Sequence, residues 1–442
     1  MAVAMDSADR PALPGAGTAL GPSPLTLGDR QLSLADARSA IAAALRPVGG
    51  VEQVPLMAAL GRVLAADVVS PIDVPAHDNS AMDGYAFAGS ALRSDATTTL
   101  RAVGTVLAGA SFTGRVGAGD CVRIMTGAVM PAGLDTVVPI ELCNVDGSPA
   151  TGQVHIAPGV LRAGENRRLQ GEDLTHGKPA LRAGRVLRPA DLGLVASLGI
   201  AELAVARCLR VALFSTGNEL RTLGQTLDPG CVYDSNRFAL MAALQRLGMD
   251  VVDLGVVADD PQALQATLEA AVAQADVLLT SGGVSAGDAD HTRDLLARMG
   301  EVAFWKVAMR PGRPFAFGPV RAGGRSSWLF ALPGNPVAAL VTFYALVRDG
   351  LLQLAGATPD RLPVLQVRCL QPIRKRPGRT ELQRGRVTQA ADGSWQVQIT
   401  GSQGAGILRS MSEANALVVL RHDQASVAAG ELVDVWLFDG WV

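Results

Sequence analysis

Apolar and polar positions alternate along this chain in three successive textures. In LADARSAIAAAL (34–45), Leu34, Ala37, Ile41 and Leu45 recur at helical spacing behind Ser33, a good N-cap, and Pro47 ends the run. LMAALGRVLA (56–65) predicts a second helix. From 73 to 206 the pattern shortens to segments such as CVRIMTG, DTVVPIE and QVHIAP, parted by Gly, Pro and Asp, which predicts a β-rich region. From Arg210 onward, RVALFSTG, VVDLGVVAD and DVLLTSGG are near-continuous apolar runs, and amphipathic stretches separate them. Strands buried on both faces read this way, so residues 207–357 are expected to form a doubly wound α/β domain. Beyond 362, LPVLQVRCL, ELQRGRVTQ, SWQVQIT, NALVVL and ELVDVWLF alternate with turn residues and predict a small C-terminal β domain.

Length and composition set outer bounds. A chain of 442 residues exceeds one ordinary core, and about three domains are expected from the usual ~100 to 200 residues each. The resulting division is an extension (1–24) rich in Ala, Pro, Gly and Ser, expected to be disordered, and an N-terminal and linker region (25–206) with a β-rich insert at about 73–160. The α/β domain (207–357) and the C-terminal β domain (362–442) follow. Basic and acidic side chains nearly cancel, 39 against 41, so no broad basic field exists to hold nucleic acid. The longest strongly apolar run, PVAALVTFYALV (336–347), is too short to span a bilayer, and no signal peptide is legible, which predicts a cytoplasmic protein without membrane contact. Five cysteines without a CxxC pair argue against disulfides or zinc, and five histidines lack metal spacing, so carboxylates would have to hold any metal.

Ligands bind open α/β sheets beyond the carboxyl ends of the strands, and three loops there stand out. In SGGVSAGDAD (281–290), Gly282, Gly283 and Gly287 let backbone approach a ligand, while Ser281, Ser285 and the next helix's free N–H groups suit a phosphate. Asp288 and Asp290 would repel a bare phosphate, which points to a bridging divalent cation or to Asp290 as a cap. A glycine turn with a helix cap explains the same string. STGNEL supplies Ser215, Thr216 and Glu219, and PGNP supplies Pro333, Gly334 and Asn335, where a rigid turn is the simpler reading. WKVAMRPGRPFAFG gathers Lys306, Arg310 and Arg313, either an oxyanion clamp or a solvated edge. In the β-rich region, Asp78, Asn79, Ser80 and Asp83, then Arg123 and Thr126, then Asn166, Glu172 and Asp173, are as typical of turns as of ligand contacts.

Taken in order, DNSAMDGYAF, RIMTGAVMP, GENRRLQGED, STGNEL, DSNR, SGGVSAGDAD, WKVAMRPGRPFAFG, LPGNP and ELQRG resemble the molybdopterin molybdenumtransferase family, known as MoeA in bacteria and as the E domain of gephyrin and its plant counterpart. The resemblance spans roughly residues 25–440. It implies an elongated homodimer with shared active sites, the helical part of the N-terminal region serving dimerisation. Asp83, Thr126 and Asp173 would come from one subunit, and Glu219, Asp259, Asp290, Lys306, Arg310 and Arg313 from the other; Arg384 also matches a family site position. It further implies insertion of molybdate into adenylylated molybdopterin with release of AMP, with Mg²⁺ held by Asp259, Asp290 and Glu219. Molybdopterin adenylyltransferase and downstream molybdoenzymes are the implied partners. Two departures stand out: Arg310 replaces a frequent Lys, and Ala405 replaces a usual Ser. The alternatives are molybdopterin adenylyltransferase, whose single domain resembles 207–355, and a gephyrin-like scaffold; the flanking domains disfavour the first, and the lack of a fused adenylyltransferase domain the second.

Overall fold

The computed structural model describes residues 31–283, 289–358 and 363–438, and for 289–292 the backbone alone. The extension read at 1–24 lies outside the described residues. At the centre is a seven-stranded sheet, ordered Gln31–Leu32, Ala303–Val307, Pro314–Ala322, Arg325–Leu332, Val277–Ser281, Arg210–Thr216 and Asp250–Val257. Successive residues of Arg210–Thr216 enter opposite cores, as a strand's period of two requires. Val211 and Leu213 pack with the helices Ser235–Arg246 and Pro336–Thr342, whereas Ala212 and Phe214 pack with Pro261–Gln274 and Ala289–Met299. Truncating Phe214, which is fully buried, to Ala would cost about 3–5 kcal/mol.

The doubly wound α/β unit departs from an all-parallel sheet at one side. The four strands from Asp250–Val257 to Arg325–Leu332 run parallel, but Pro314–Ala322 runs antiparallel to both of its neighbours. Gly323 and Gly324, both at positive φ, make the two-residue turn that permits this hairpin. The helix Leu34–Ala44, capped by Ser33 as its sequence predicts, packs into the same core through Leu34, Ala37 and Ile41.

The predicted helix at 56–65 does not form. Only a 3₁₀ turn, Leu56–Ala59, is present, because Gly61 turns the chain at φ 74° and Val63 and Leu64 bridge to Val186 and Val205. Tertiary pairing overrides a helical-looking pattern here. Outgoing and returning strands then pair in steps: Val51–Pro55 with Glu202–Ala206, Val68–Val69 with Pro179–Leu181, and Asn79–Ser80 with Arg167–Arg168. This ladder carries a six-stranded β sheet ordered Thr136–Pro139, Gly84–Phe87, Asp120–Ile124, Thr98–Val106, Gln153–Ile156 and Cys143–Asp146.

The C-terminal unit is a β barrel. Thr380–Gln389, Trp395–Ile399, Leu365–Cys369, Leu432–Leu437 and Ala416–Leu420 close on themselves through pairing of the first with the last. Met309–Arg310 from the α/β unit adds parallel to Thr380–Gln389, which puts Arg310 at the junction of the two units. Among the described residues the helical stretch Pro336–Leu354 alone is long and apolar enough to cross a membrane, but 83% of it is buried inside the protein. It is a core helix of the α/β unit.

Candidate functional site

A cleft of about 430 Å³ opens at the carboxyl ends of the central strands. Thr216, Gly217, Glu219 and Asp259 form one side, Gly282 and Gly283 the floor, and Pro333, Gly334 and Asn335 the next loop. Arg310, Pro311 and Gly312 close it with Gln403, Gly404 and Ala405 of the barrel. Its size suits a small-molecule ligand. The loops touch: a Cβ on Gly282, where φ is 96°, would lie 2.5 Å from the Thr216 carbonyl oxygen. Only glycine meets both the conformational and the steric demand. The barrel is fastened to the same place, since the Val337 N–H donates to the Ala405 carbonyl at 3.0 Å. Ala405 thus contributes backbone at the position where the resemblance leads one to expect a serine hydroxyl.

Charge divides across this cleft. Glu219 and Asp259 give it two carboxylates on the strand-end side, and Arg310 faces them from the turn. Behind Arg310 lies Arg384, only 1% exposed, whose Nε donates to Ser410 Oγ at 3.0 Å and whose guanidinium also donates to the Gly404 carbonyl at 3.1 Å. Among the described residues no carboxylate pairs with it. Burial first, and the neighbouring Arg310 charge second, hold its pKa down to about 10. Glu381 is the buried carboxylate nearest this pair, 3.9 Å from Arg310, yet it also accepts from Arg379 and Gln383 at 3.1 Å each. A second cleft of about 250 Å³ continues from the first, sharing Arg310, Pro311 and Gln403 and adding Arg374, Arg384 and the buried Glu381, whose charge is already engaged by Arg379 and Gln383. A buried cation lacking a counter-charge is costly, and an anion bound there would relieve the cost.

The predicted site residues separate into groups. Thr216, Glu219, Asp259, Gly282, Gly283, Arg310, Pro333, Gly334 and Asn335 line one cleft, and Arg384 lines its continuation. Lys306, in the strand Ala303–Val307, and Arg313, on the turn after Arg310, are exposed but line neither. Ser215 and Ser281, read as ligand donors, are 1% and 2% exposed and turn inward: Ser215 donates to Asp234 at 3.0 Å, and Ser281 accepts from Asn236 at 2.8 Å. Strand alternation sends both hydroxyls into the sheet's helical cover. Ser285 and Gly287 lie outside the described residues. Asp290 belongs to the helix Ala289–Met299, and its side chain lies outside the described residues as well.

Asp83, Thr126 and Asp173 sit in the N-terminal unit and line neither cleft. The Thr126 backbone N–H and hydroxyl both donate to Asp83 at 2.7 Å, and these bonds, the backbone one foremost, hold its carboxyl below the usual range. Asp173 is exposed, and its N–H donates to the Val74 carbonyl at 3.0 Å. Sequence reasoning missed Gln403, Gly404 and Asn236. The first two carry no signal beyond a turn-like string, whereas Asn236 stands inside the quoted DSNR motif.

No cluster of three or more potential metal-ligating side chains occurs among the described residues. Two carboxylates are nonetheless enough for a magnesium ion that keeps several waters and takes its other ligands from substrate phosphates. Glu219 and Asp259, which both line the cleft, are the carboxylates that would hold it.

Comparison with known proteins covers all three units. A model of the MoeA N-terminal region (domain I and II) matches residues 32–199, one of a probable molybdopterin binding domain matches 212–353, and one of the MoeA C-terminal region (domain IV) matches 366–438. Molybdopterin molybdenumtransferase of Haemophilus influenzae is 39% identical over 411 residues, covering 92% of this chain and 99% of that protein. Molybdopterin molybdenumtransferase 2 of Mycobacterium tuberculosis is 36% identical over 414 residues, covering 89% and 95%. The crystal structure of a molybdopterin biosynthesis MoeA protein from Pyrococcus horikoshii superimposes with a TM-score of 0.77 at 26% identity, over 92% of this chain and all of that one. With its three matched regions in order and relatives aligned nearly end to end, the chain belongs to the molybdopterin molybdenumtransferase (MoeA) family.

Proposed function

We propose that this protein inserts molybdate into adenylylated molybdopterin and releases AMP. The observation that carries the reading is the buried Arg384 behind Arg310, with no paired carboxylate among the described residues, in a cleft continuous with the glycine loops and with Glu219 and Asp259. A phosphorylated ligand suits the loops at 282–283 and 333–335, where backbone comes close and the helix after Pro336 begins. Molybdate, a tetrahedral dianion, suits the neighbouring cationic pocket, and Arg310 can grip it with two parallel donors where a lysine would offer a point charge. Mg²⁺ held by Glu219 and Asp259, with Asp290 as a further donor, would neutralise the phosphoanhydride. The protein's own part is positioning and charge compensation: the glycine loops fix the phosphates, and the arginines hold the oxyanion beside the dithiolene.

The same reading takes the working unit to be a homodimer in the cytoplasm. Asp83, Thr126 and Asp173, which line neither cleft, would complete the partner's site. The acceptors of the product would be molybdoenzymes, and the donor of the substrate an adenylyltransferase.

Purified protein mixed with adenylylated molybdopterin, Mg²⁺ and molybdate is expected to release AMP only when molybdate is present. AMP release at the same rate without molybdate, or ATP-dependent adenylylation of free molybdopterin, would overturn the assignment.

A further inference from the structure

The tetrapeptide DSNR (234–237) opens the helix Ser235–Arg246 and reaches four strands of the central sheet. Asp234 accepts from Ser215, at the end of Arg210–Thr216, at 3.0 Å. Its carboxylate also caps the helix by accepting from the Arg237 N–H at 3.1 Å. Arg237 in turn bonds Asp234 and Asp253, on the strand Asp250–Val257. Asn236 spans the remaining two. Its side-chain nitrogen donates to Ser281 Oγ at 2.8 Å, at the end of Val277–Ser281, and to the Gly334 carbonyl at 2.7 Å, just past Arg325–Leu332. Both amide hydrogens of Asn236 are therefore used, one on each of two cleft loops. Ser281 completes the link with a long 3.4 Å bond to the Pro333 carbonyl.

We propose that Asn236 is a positioning residue, which sets the spacing between the glycine loop and the 333–335 loop and so fixes where ligand phosphates sit. The proposal rests on the functional reading above. Among the described residues no other side chain from outside these two loops bonds both of them; the backbone adds the Gly282 N–H to the Leu332 carbonyl at 3.0 Å. The loops are close enough for the spacing to matter, since a Cβ on Gly334 would lie 3.8 Å from Gly282 Cα. Asn236 is 9% exposed and lines neither cleft, so it acts through Ser281 and Gly334 alone. Arg310 and Arg384 hang on the junction turn and on the barrel, elements that the DSNR contacts do not reach. The two ligands should consequently respond differently to loss of the clamp.

Asn236→Asp keeps the shape and removes both donors, setting a carboxylate oxygen against the Gly334 carbonyl. Steady-state AMP release should show KM for adenylylated molybdopterin raised about 10-fold, KM for molybdate changed less than about 2-fold, and a thermal midpoint near that of the wild type. An unchanged pterin KM overturns the proposal, as does an equal rise in both KM values with a lowered midpoint. Should Asn236→Asp fail to fold, Ser281→Ala removes one of the two bonds and is expected to give the same split at roughly 3-fold; no split overturns the proposal. Calorimetric binding of AMP provides a readout free of the chemistry. A wild type that releases no AMP with molybdate refutes the functional reading, while the clamp is still judged by AMP affinity. Weakening of about 10-fold in Asn236→Asp supports the clamp, and equal affinity, or no AMP binding by the wild type, overturns it.

Discussion

The strand-end cleft and the polar turns of the N-terminal unit contain similar residues put to different uses. In the turns, carboxylates are satisfied by nearby N–H groups: Asp83 takes two bonds from Thr126, Asp78 takes the Gln170 N–H and pairs with Arg167, and Glu172 takes the Leu169 N–H and pairs with Arg168. In the cleft, Glu219 and Asp259 share one wall, and Arg384, buried behind the other, has no paired carboxylate among the described residues. The first arrangement is complete as it stands, and the second has unspent charge. Unspent charge of this kind marks where a ligand contributes stability, and satisfied turns mark a rigid surface that can be presented to something else.

Removing the unspent charge should sharpen the contrast most. Arg384→Met is expected to raise the molybdate KM by about 100-fold while leaving thermal stability equal or higher, because a buried cation without a counter-ion disfavours the folded state. A fall in the thermal midpoint together with an unchanged molybdate KM would mean that Arg384 is structural. A smaller effect follows from its acidity. Burial depresses the folded pKa well below the ordinary arginine range, to about 10, so the cation and the anion affinity it supports persist below that value and are lost as pH rises through it. Molybdate binding should weaken as pH rises through that value, and less steeply in Arg384→Met. The least stability change is expected at the turns: Asp83→Ala leaves solvent to replace the carboxylate at Thr126, so the thermal midpoint should stay within a few degrees while AMP release falls.

The sequence reveals the sheet better than the direction of its side chains. Runs such as RVALFST and DVLLTS identify strands because continuous burial leaves no polar face, and the glycines of the strand-end loops are legible because few other residues could stand there. What a hydroxyl touches is not local information. Ser215 and Ser281 look like ligand donors, yet their partners, Asp234 and Asn236, lie 19 and 45 residues away. The segment 56–65 has helical spacing, yet it keeps only a 3₁₀ turn at Leu56–Ala59, and the pairing of Val63 and Leu64 with Val186 and Val205 makes its second half extended. Arg384 sits in a strand whose pattern TELQRGRVTQ would send an arginine outward; its burial beside Leu382 is visible only once the barrel closes. The antiparallel strand Pro314–Ala322 was likewise hidden, since its apolar run resembles that of a parallel neighbour.

The central claim is that the satisfied turns of one subunit and the charged cleft of another make one working site. Asp83→Asn and Asp259→Asn proteins, each expected to be inactive alone, should be unfolded together, refolded as a mixture and assayed for molybdate-dependent AMP release. If a two-fold dimer shares its sites, random pairing leaves about one quarter of all sites free of both substitutions, and the mixture should regain about a quarter of wild-type activity. A mixture that stays as inactive as its parents, although mixed dimers are shown to have formed, would contradict the account.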